Sequence, residues 1–154
     1  MKIRWNIAEA IATAGYIGYF PFAPGTLGAG IGCLIYMAAP LHSAVTELAA
    51  LTGFIAFSVW IAGKAEQSFK MKDPGCIVID EIAGSLVTFF ALPPSIFIGI
   101  AGFVLFRIFD ILKPFPIRWL EKKLPGGFGV VMDDVAAGII SNIILHLIIM
   151  VKQI

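Results

Sequence analysis

Five carboxylic acids lie at the edges of hydrophobic runs in this chain of 154 residues. Asp80 and Glu81 are adjacent in CIVIDEIAG, Asp110 lies in FRIFDILKP, and Asp133 and Asp134 are adjacent in VVMDDVAAG. A charge near hydrocarbon is costly, about 2.5–3.5 kcal/mol at a bilayer centre on insertion scales. Carboxylate oxygens are the ligands that Mg²⁺ selects, often beside phosphate. The five acids are therefore candidate catalytic residues, and they predict a magnesium site.

Helix capping is the ordinary alternative for the two acid pairs. Acidic side chains at a helix start satisfy free backbone N–H groups and complement the helix dipole. This alternative fits Asp110 poorly, because Asp110 is expected at a helix C-terminus, where Arg107 could compensate as an i,i+3 partner. Adjacent helical residues point about 100° apart. One acid of each pair is therefore expected to bind the metal while its neighbour orients a ligand or water.

Composition indicates a membrane protein. The chain is 59% hydrophobic and only 14% charged, with a mean hydropathy of +0.94, and a chain this short cannot bury so much apolar surface in one water-soluble core. The length predicts a single domain over 1–154. A net charge of +1 gives no indication of nucleic-acid binding. Cys33 and Cys76 form no CxxC motif, so neither a disulfide nor a zinc site is expected.

The apolar segments predict an all-α fold. No strand alternation interrupts them, and Ile3, Ile7 and Ile11 recur beside Trp5 at the spacing of a helix on the membrane surface. We expect a compact integral-membrane bundle of about four to five short hydrophobic helices plus this N-terminal interfacial helix. The hydrophobic segments are approximately 26–41, 44–63, 80–93, 95–112 and 134–151.

Basic residues predict the orientation of the bundle. With alternating crossings, ten of the eleven Lys and Arg residues fall on one face, which is taken as cytoplasmic. Lys152 is the exception. The connections PLHS and PPS, on the opposite side, carry no Lys or Arg. The acids open or close their segments on the basic side, so all five are expected at the cytoplasmic face.

Two stretches are candidates for phosphate contact. FPFAPGTLGAGIG runs into a helix at Thr26, which could cap it, and free N–H groups there suit a phosphate; the alternative is GxxxG packing through Gly28 and Gly32. Lys113 and Arg118 in KPFPIRW could hold a substrate phosphate or only anionic headgroups.

Glycines beside the acids have two interpretations. VIDEIAG and VMDDVAAG echo each other, and the small residues after each acid pair would let neighbouring helices pack closely. LPGGFG at 124–129 is expected to be a loop, either an anion-binding nest or a flexible linker. His42 and His146 are poorly placed as catalytic bases, and His146 is expected to make a hydrogen bond between packed helices.

Four blocks of the sequence together resemble the phosphatidylglycerophosphatase A family. They are FPFAPGTLG, DPGCIVIDEIAG, FRIFDILKPFPIRWLE and GGFGVVMDDVAAG, in the family's order and over most of the chain. The resemblance implies a bacterial, Mg²⁺-dependent phosphatase of the cytoplasmic membrane that converts phosphatidylglycerophosphate to phosphatidylglycerol and inorganic phosphate. The implied site residues are Thr26, Asp80, Glu81, Asp110, Lys113, Arg118, Asp133 and Asp134.

The residues are compatible with this reaction. We predict that Asp80 and Asp134 bind Mg²⁺, with Glu81 as a further ligand, Asp110 and Asp133 as ligands or general base, and the basic residues on phosphate. No CxxxxxR or DxDxT signature is present. Metal-activated water is therefore the expected nucleophile, and an Asp nucleophile stays open.

Two other functions compete with this interpretation. A headgroup transferase or another lipid-phosphate hydrolase would keep the metal, but the transferase arrangement DGxxAR…GxxxD…D is absent. A small membrane cation carrier would place its acids at mid-membrane depth rather than at segment ends on one face.

Overall fold

The computed structural model describes residues 7–39 and 43–152, and every regular element in these ranges is helical. The all-α prediction is thus confirmed there, while Ile3, Trp5 and His42 lie outside the described residues. A short 3₁₀ turn, Ile17–Tyr19, follows the first helix. The α-helices are α1 Ile7–Ala12, α2 Pro24–Ala38, α3 Ala44–Phe69, α4 Ile79–Thr88, α5 Ile96–Leu112, α6 Ile117–Lys123 and α7 Gly126–Lys152.

Helices α4 and α7 pack against each other through glycines of the two echoing motifs. A Cβ at Gly84 would lie 2.6 Å from the backbone oxygen of Asp134, and one at Gly138 would overlap the Gly84 oxygen. Only residues without a side chain allow the two backbones to approach this closely. The predicted close packing after each acid pair is confirmed.

Helix α2 covers α4 from the other side, through the GxxxG motif. A Cβ at Gly28 would lie 2.9 Å from the Val78 oxygen, and one at Gly32 would lie 2.7 Å from Cβ of Ser85. Ser85 also donates a 2.9 Å hydrogen bond to the Ala29 oxygen. The packing interpretation of these two glycines is therefore confirmed, and α4 lies between α2 and α7.

The start of α7 differs from the sequence prediction. LPGGFG is not a loop, because residues 126–129 form the first turn of α7. A Cβ at Gly127 would overlap the Val59 oxygen of α3, so this glycine allows α7 to cross α3. The predicted segment 134–151 consequently begins at Gly126, and the Asp133–Asp134 pair lies inside the helix rather than at its start.

Helix α4 ends early, and side chains from neighbouring helices satisfy the backbone that follows. The Asn142 amide donates to the oxygens of Thr88 (3.0 Å) and Phe90 (2.9 Å). His146 Nε2 lies 3.3 Å from the same Phe90 oxygen, so, contrary to expectation, it contacts the turn after α4 rather than another helix. Glu47 accepts a 3.1 Å hydrogen bond from the Ala91 N–H. Buried backbone groups outside a helix need such partners.

Two helices in the described ranges, α3 and α7, are long and apolar enough to cross a membrane. Large apolar side chains are exposed on the outside of the bundle, including Trp60, Ile100, Ile111, Ile143 and Val151. Helix α4, with 10 residues, is about 15 Å long, half of a typical hydrocarbon layer. The count of four to five membrane helices stays a prediction.

Candidate active site

Three carboxylates converge where α4 meets α7. Oxygens of Asp80, Glu81 and Asp134 all lie within 4.8 Å of one another, and we call this group the acid cluster. Asp80 and Asp134 are buried, with 6% and 4% of their surface exposed. Each member has a buried oxygen without a hydrogen-bond partner in the described ranges: Asp80 Oδ1, Glu81 Oε2 and Asp134 Oδ2. Clustered, unpaired carboxylate oxygens fit a hard divalent cation such as Mg²⁺.

The α4–α7 crossing explains why the cluster forms. Gly84 packs against the backbone of Asp134 itself, one helical turn after Asp80, so the two acid-bearing turns meet. Both members of the first pair reach the cluster, contrary to the expectation that only one acid of each pair would do so. The longer Glu81 side chain offsets the angle between adjacent helical positions. The expectation holds for the second pair, in which Asp133 points elsewhere.

Asp133 forms an ion pair with Lys113. Lys113 Nζ lies 2.6 Å from Asp133 Oδ2 and 3.2 Å from Glu121 Oε1. Burial acts to lower the pKa of Lys113, but the two carboxylates outweigh it and raise the pKa above the usual value for lysine. Lys113 is therefore a fixed positive charge, and Asp133, which precedes Asp134 of the acid cluster, is its anchor.

Asp110 forms an ion pair with Arg107. Arg107 Nη1 pairs with Asp110 Oδ2 one turn later on α5, which confirms the i,i+3 compensation expected for an acid at this helix end. Arg107 Nε is buried and has no partner in the described part of the chain. Asp110 is also an electrostatic neighbour of Asp134 and Glu81. The guanidinium therefore faces the acid cluster with donor capacity to spare.

Gly25 was not predicted as part of this region, yet it lies over it. A Cβ at Gly25 would lie 3.1 Å from Arg107 Nη1 and would overlap Glu81 Oε1. Arg107 and Gly25 were not predicted as site residues, and the sequence contains one signal for each. The signal for Arg107 is its i,i+3 spacing from Asp110, and the signal for Gly25 is the APG turn before α2. Neither signal alone identifies a contact between α2, α4 and α5.

Thr26 and Arg118 have less direct positions. Helix α2 begins at Pro24 with Ala23 as its N-cap (φ 47°), so the expectation that Thr26 starts and caps this helix is wrong. Thr26 lies in the first turn, half-buried, one residue after Gly25. Arg118 is exposed on α6 and forms no ion pair with residues 7–39 or 43–152.

Comparison with known proteins decides the family. The model of the family described as phosphatidylglycerophosphatase A matches residues 10–149, which include all eight predicted site residues. The chain belongs to the phosphatidylglycerophosphatase A family. Membership makes it a phosphatase, a phosphoric monoester hydrolase, as the sequence predicted. No solved structure matches the chain.

The sequences of curated relatives align with most of this phosphatase. It is 37% identical to phosphatidylglycerophosphatase A of Escherichia coli, over 96% of this chain and 85% of that protein. The phosphatidylglycerophosphatase A of Haemophilus influenzae is also 37% identical, over 82% and 78%. A Bacteroides thetaiotaomicron protein, described provisionally as a phosphatidylinositol-3-phosphatase, is 39% identical over 94% and 95%.

The phosphatase also has an apolar cavity far from the acids. Its volume is about 740 Å³, and α2, α3 and the end of α4 line it, with Glu47 as its one acidic residue in the described ranges. None of the five predicted acids contributes to its wall. Phosphate chemistry requires the charged groups at the other end of α4, so the candidate active site is the acid cluster rather than this larger cavity.

Proposed function

We propose that this phosphatase removes the terminal phosphate of phosphatidylglycerophosphate, giving phosphatidylglycerol and inorganic phosphate. The reaction would occur at the cytoplasmic face of a bacterial inner membrane, with Mg²⁺ as cofactor. Two relatives named for this activity support the substrate. The observation that carries the proposal is the convergence of three carboxylates with unpaired oxygens in a buried site.

The acid cluster is the proposed metal site. Asp80, Glu81 and Asp134 would hold Mg²⁺ through the oxygens that have no other partner. When bound, the ion supplies charge neutralisation for a phosphate and lowers the pKa of a coordinated water. Without a cation the three carboxylates repel one another in a buried site, so they provide strong attraction for positive charge.

The basic residues complete the proposed site. Arg107, an electrostatic neighbour of Glu81, and Lys113, paired with Asp133, would supply positive charge where a phosphate monoester carries its negative charge. Asp133 orients Lys113 and Asp110 orients Arg107, so we assign these two acids positioning roles. Thr26 would assist from the start of α2. Arg118, exposed on α6, would contact anionic headgroups at the membrane surface.

Phosphate release from phosphatidylglycerophosphate by the purified protein tests the proposal. We expect Mg²⁺-dependent activity that chelation abolishes and that Asp80→Asn or Asp134→Asn lowers by at least about 100-fold, because each change removes a metal ligand. Glu47→Gln is the matched control: a carboxylate remote from the site, whose loss should leave the rate within about twofold. Full activity in either Asn variant would remove the metal assignment.

A lipid panel tests the substrate. The relative described as a phosphatidylinositol-3-phosphatase is as similar as the two phosphatidylglycerophosphatases, so phosphatidylinositol 3-phosphate is the competing substrate. We expect the highest kcat/KM for phosphatidylglycerophosphate. A higher value for the inositol lipid would reject the proposed substrate while leaving the phosphatase and its metal site in place.

A further inference from the structure

A cavity of about 300 Å³ with charged residues in its wall includes Glu121, a partner of Lys113. The loop before α4, helix α6 and the start of α7 enclose it. Its walls carry charges of both signs, with two lysines and two carboxylates, and the remaining wall is small or apolar. The lining residues are Lys72, Asp73, Glu121, Lys122, Gly129 and Val130.

One lysine connects this cavity to Asp133, the acid that positions it. Lys113 Nζ contacts Glu121, in the cavity wall, at 3.2 Å and Asp133 at 2.6 Å. Asp73, in the cavity wall, is also an electrostatic neighbour of Asp80 in the acid cluster. A ligand that occupies both places would therefore have its phosphate at the acid cluster and its next chemical group in the cavity.

The loop that carries Asp73 is held in a defined conformation. Asp73 has a positive φ of 47°, a conformation that few side chains other than Gly, Asn and Asp adopt readily. Its N–H donates a 2.8 Å hydrogen bond to Oε1 of Glu66, which is only 9% exposed in the last turn of α3. Asp73 as a whole residue is exposed, so the buried Glu66 fixes the backbone of an accessible position.

The mixed charge of the walls restricts the class of ligand. A small free anion would meet Asp73 and Glu121, and a small free cation would meet Lys72 and Lys122. A polyol attached to a phosphodiester satisfies both sets, because its hydroxyls donate to carboxylates and its phosphodiester oxygens accept from ammonium groups. A carboxylate that accepts a hydrogen bond from a hydroxyl also discriminates against lipids that lack the hydroxyl.

We propose that this cavity binds the polyol part of the lipid headgroup, with Asp73 as a specificity-determining residue. The inference rests on the proposed function and extends it from the scissile phosphate to the group beyond it. The lipids in the names of the relatives, although different, both carry a polyol next to the monoester phosphate. The cavity would therefore separate polyol-bearing lipid phosphates from phosphatidate, in which the monoester joins diacylglycerol directly.

The test compares two substrates in one variant. Asp73→Ala should lower kcat/KM for phosphatidylglycerophosphate by about tenfold or more, because losing one hydrogen bond to a charged group weakens binding by about that factor. The same variant should change kcat/KM for phosphatidate by less than about twofold, because that lipid has no polyol that could contact Asp73. Asp73→Asn, which keeps one acceptor oxygen, should recover part of the loss. Equal losses on both lipids, or no loss on either, would overturn the proposal.

A binding measurement separates this inference from the proposed function. Glycerophosphoglycerol, the soluble headgroup of the product, is titrated without Mg²⁺ into the full chain in detergent. Affinity should fall about tenfold in Asp73→Ala and stay unchanged in Lys123→Ala, an exposed neighbour outside the cavity. If the unchanged protein is inactive on phosphatidylglycerophosphate but its binding of glycerophosphoglycerol still falls in Asp73→Ala, only the proposed function is rejected. Unchanged binding in that variant would reject the cavity assignment.

Discussion

At the scale of single residues, adjacent acids in this protein have different partners. Asp134 points into the acid cluster, whereas Asp133, the residue before it, pairs with Lys113 through Oδ2 and keeps Oδ1 without a partner in the described ranges. The two residues have the same chemistry and similar burial, so the difference comes from the direction that each takes on α7. The lysine neutralises the charge of Asp133, whereas Asp134 has two further carboxylates beside it, which separates the candidate anchor from the candidate ligand.

The anchor role predicts a stability effect at Lys113. Lys113→Met leaves Asp133, which is 3% exposed, without its positive partner, and should lower the free energy of unfolding by about 3 kcal/mol. The double variant Lys113→Met/Asp133→Asn should recover at least about 1 kcal/mol, because the unpaired charge is removed. Denaturant unfolding in detergent measures both values. A double variant no more stable than Lys113→Met would contradict the anchor role.

At the scale of helices, the site depends on how closely α4 and α7 approach. Gly84 lies one turn after Asp80 and against the backbone of Asp134, so the crossing point and the acid cluster occupy the same level of the bundle. A longer distance between the helices would separate carboxylates that belong to different elements. The small residues after each acid pair therefore support the chemistry of the site through the spacing of the helices.

Substituting the crossing glycine tests this dependence. In Gly84→Ala the new methyl group would meet the Asp134 oxygen at 2.6 Å, and the strain should lower stability by about 1–3 kcal/mol. Phosphatase activity should fall as well, because α4 must shift away from α7. Gly30→Ala is the matched control: no atom lies within 4 Å of its Cβ position on α2, and it should stabilise that helix by up to about 1 kcal/mol. Wild-type activity in Gly84→Ala would contradict the argument.

At the scale of the whole molecule, the charged site and the apolar cavity lie at opposite ends of α4. The acids and their basic partners occupy the end where α4 begins, and the cavity of about 740 Å³ lies where it ends. Two helices long enough to cross a membrane and apolar side chains exposed around the bundle agree with a protein surrounded by lipid. We expect the end with the acids to face the cytoplasm, where most basic residues of the sequence are placed.

Cysteine labelling in cells tests this orientation. In a chain with Cys33 and Cys76 replaced by Ser, Pro94→Cys should react with a membrane-impermeant maleimide in intact cells. Lys123→Cys, at the end of α6, should react only after the inner membrane is opened. Both positions are exposed in the structure, so access rather than burial decides the reaction. Labelling of both from the same side would contradict the predicted orientation.

Local patterns in the sequence determined the helices and the identity of the charged residues. Apolar runs predicted an all-α chain, four motif blocks indicated the family, and the i,i+3 spacing identified the Arg107–Asp110 pair. These features depend on neighbours within a few turns, which the sequence displays directly. The predicted start of α7 was wrong by eight residues. The glycines that suggested a loop lie in the first turn of the helix, where they allow α7 to cross α3.

Tertiary packing alone decided which charged groups share one site. The sequence offered five acids at one face, and only the contacts among α2, α4, α5 and α7 separated three clustered carboxylates from two that pair with Lys113 and Arg107. The same contacts brought Gly25 against Glu81 and Arg107. The physical reason is that the periodicity of the sequence fixes the face of a helix on which a side chain lies. The distance between two helices depends instead on whether glycines occupy the positions where they cross.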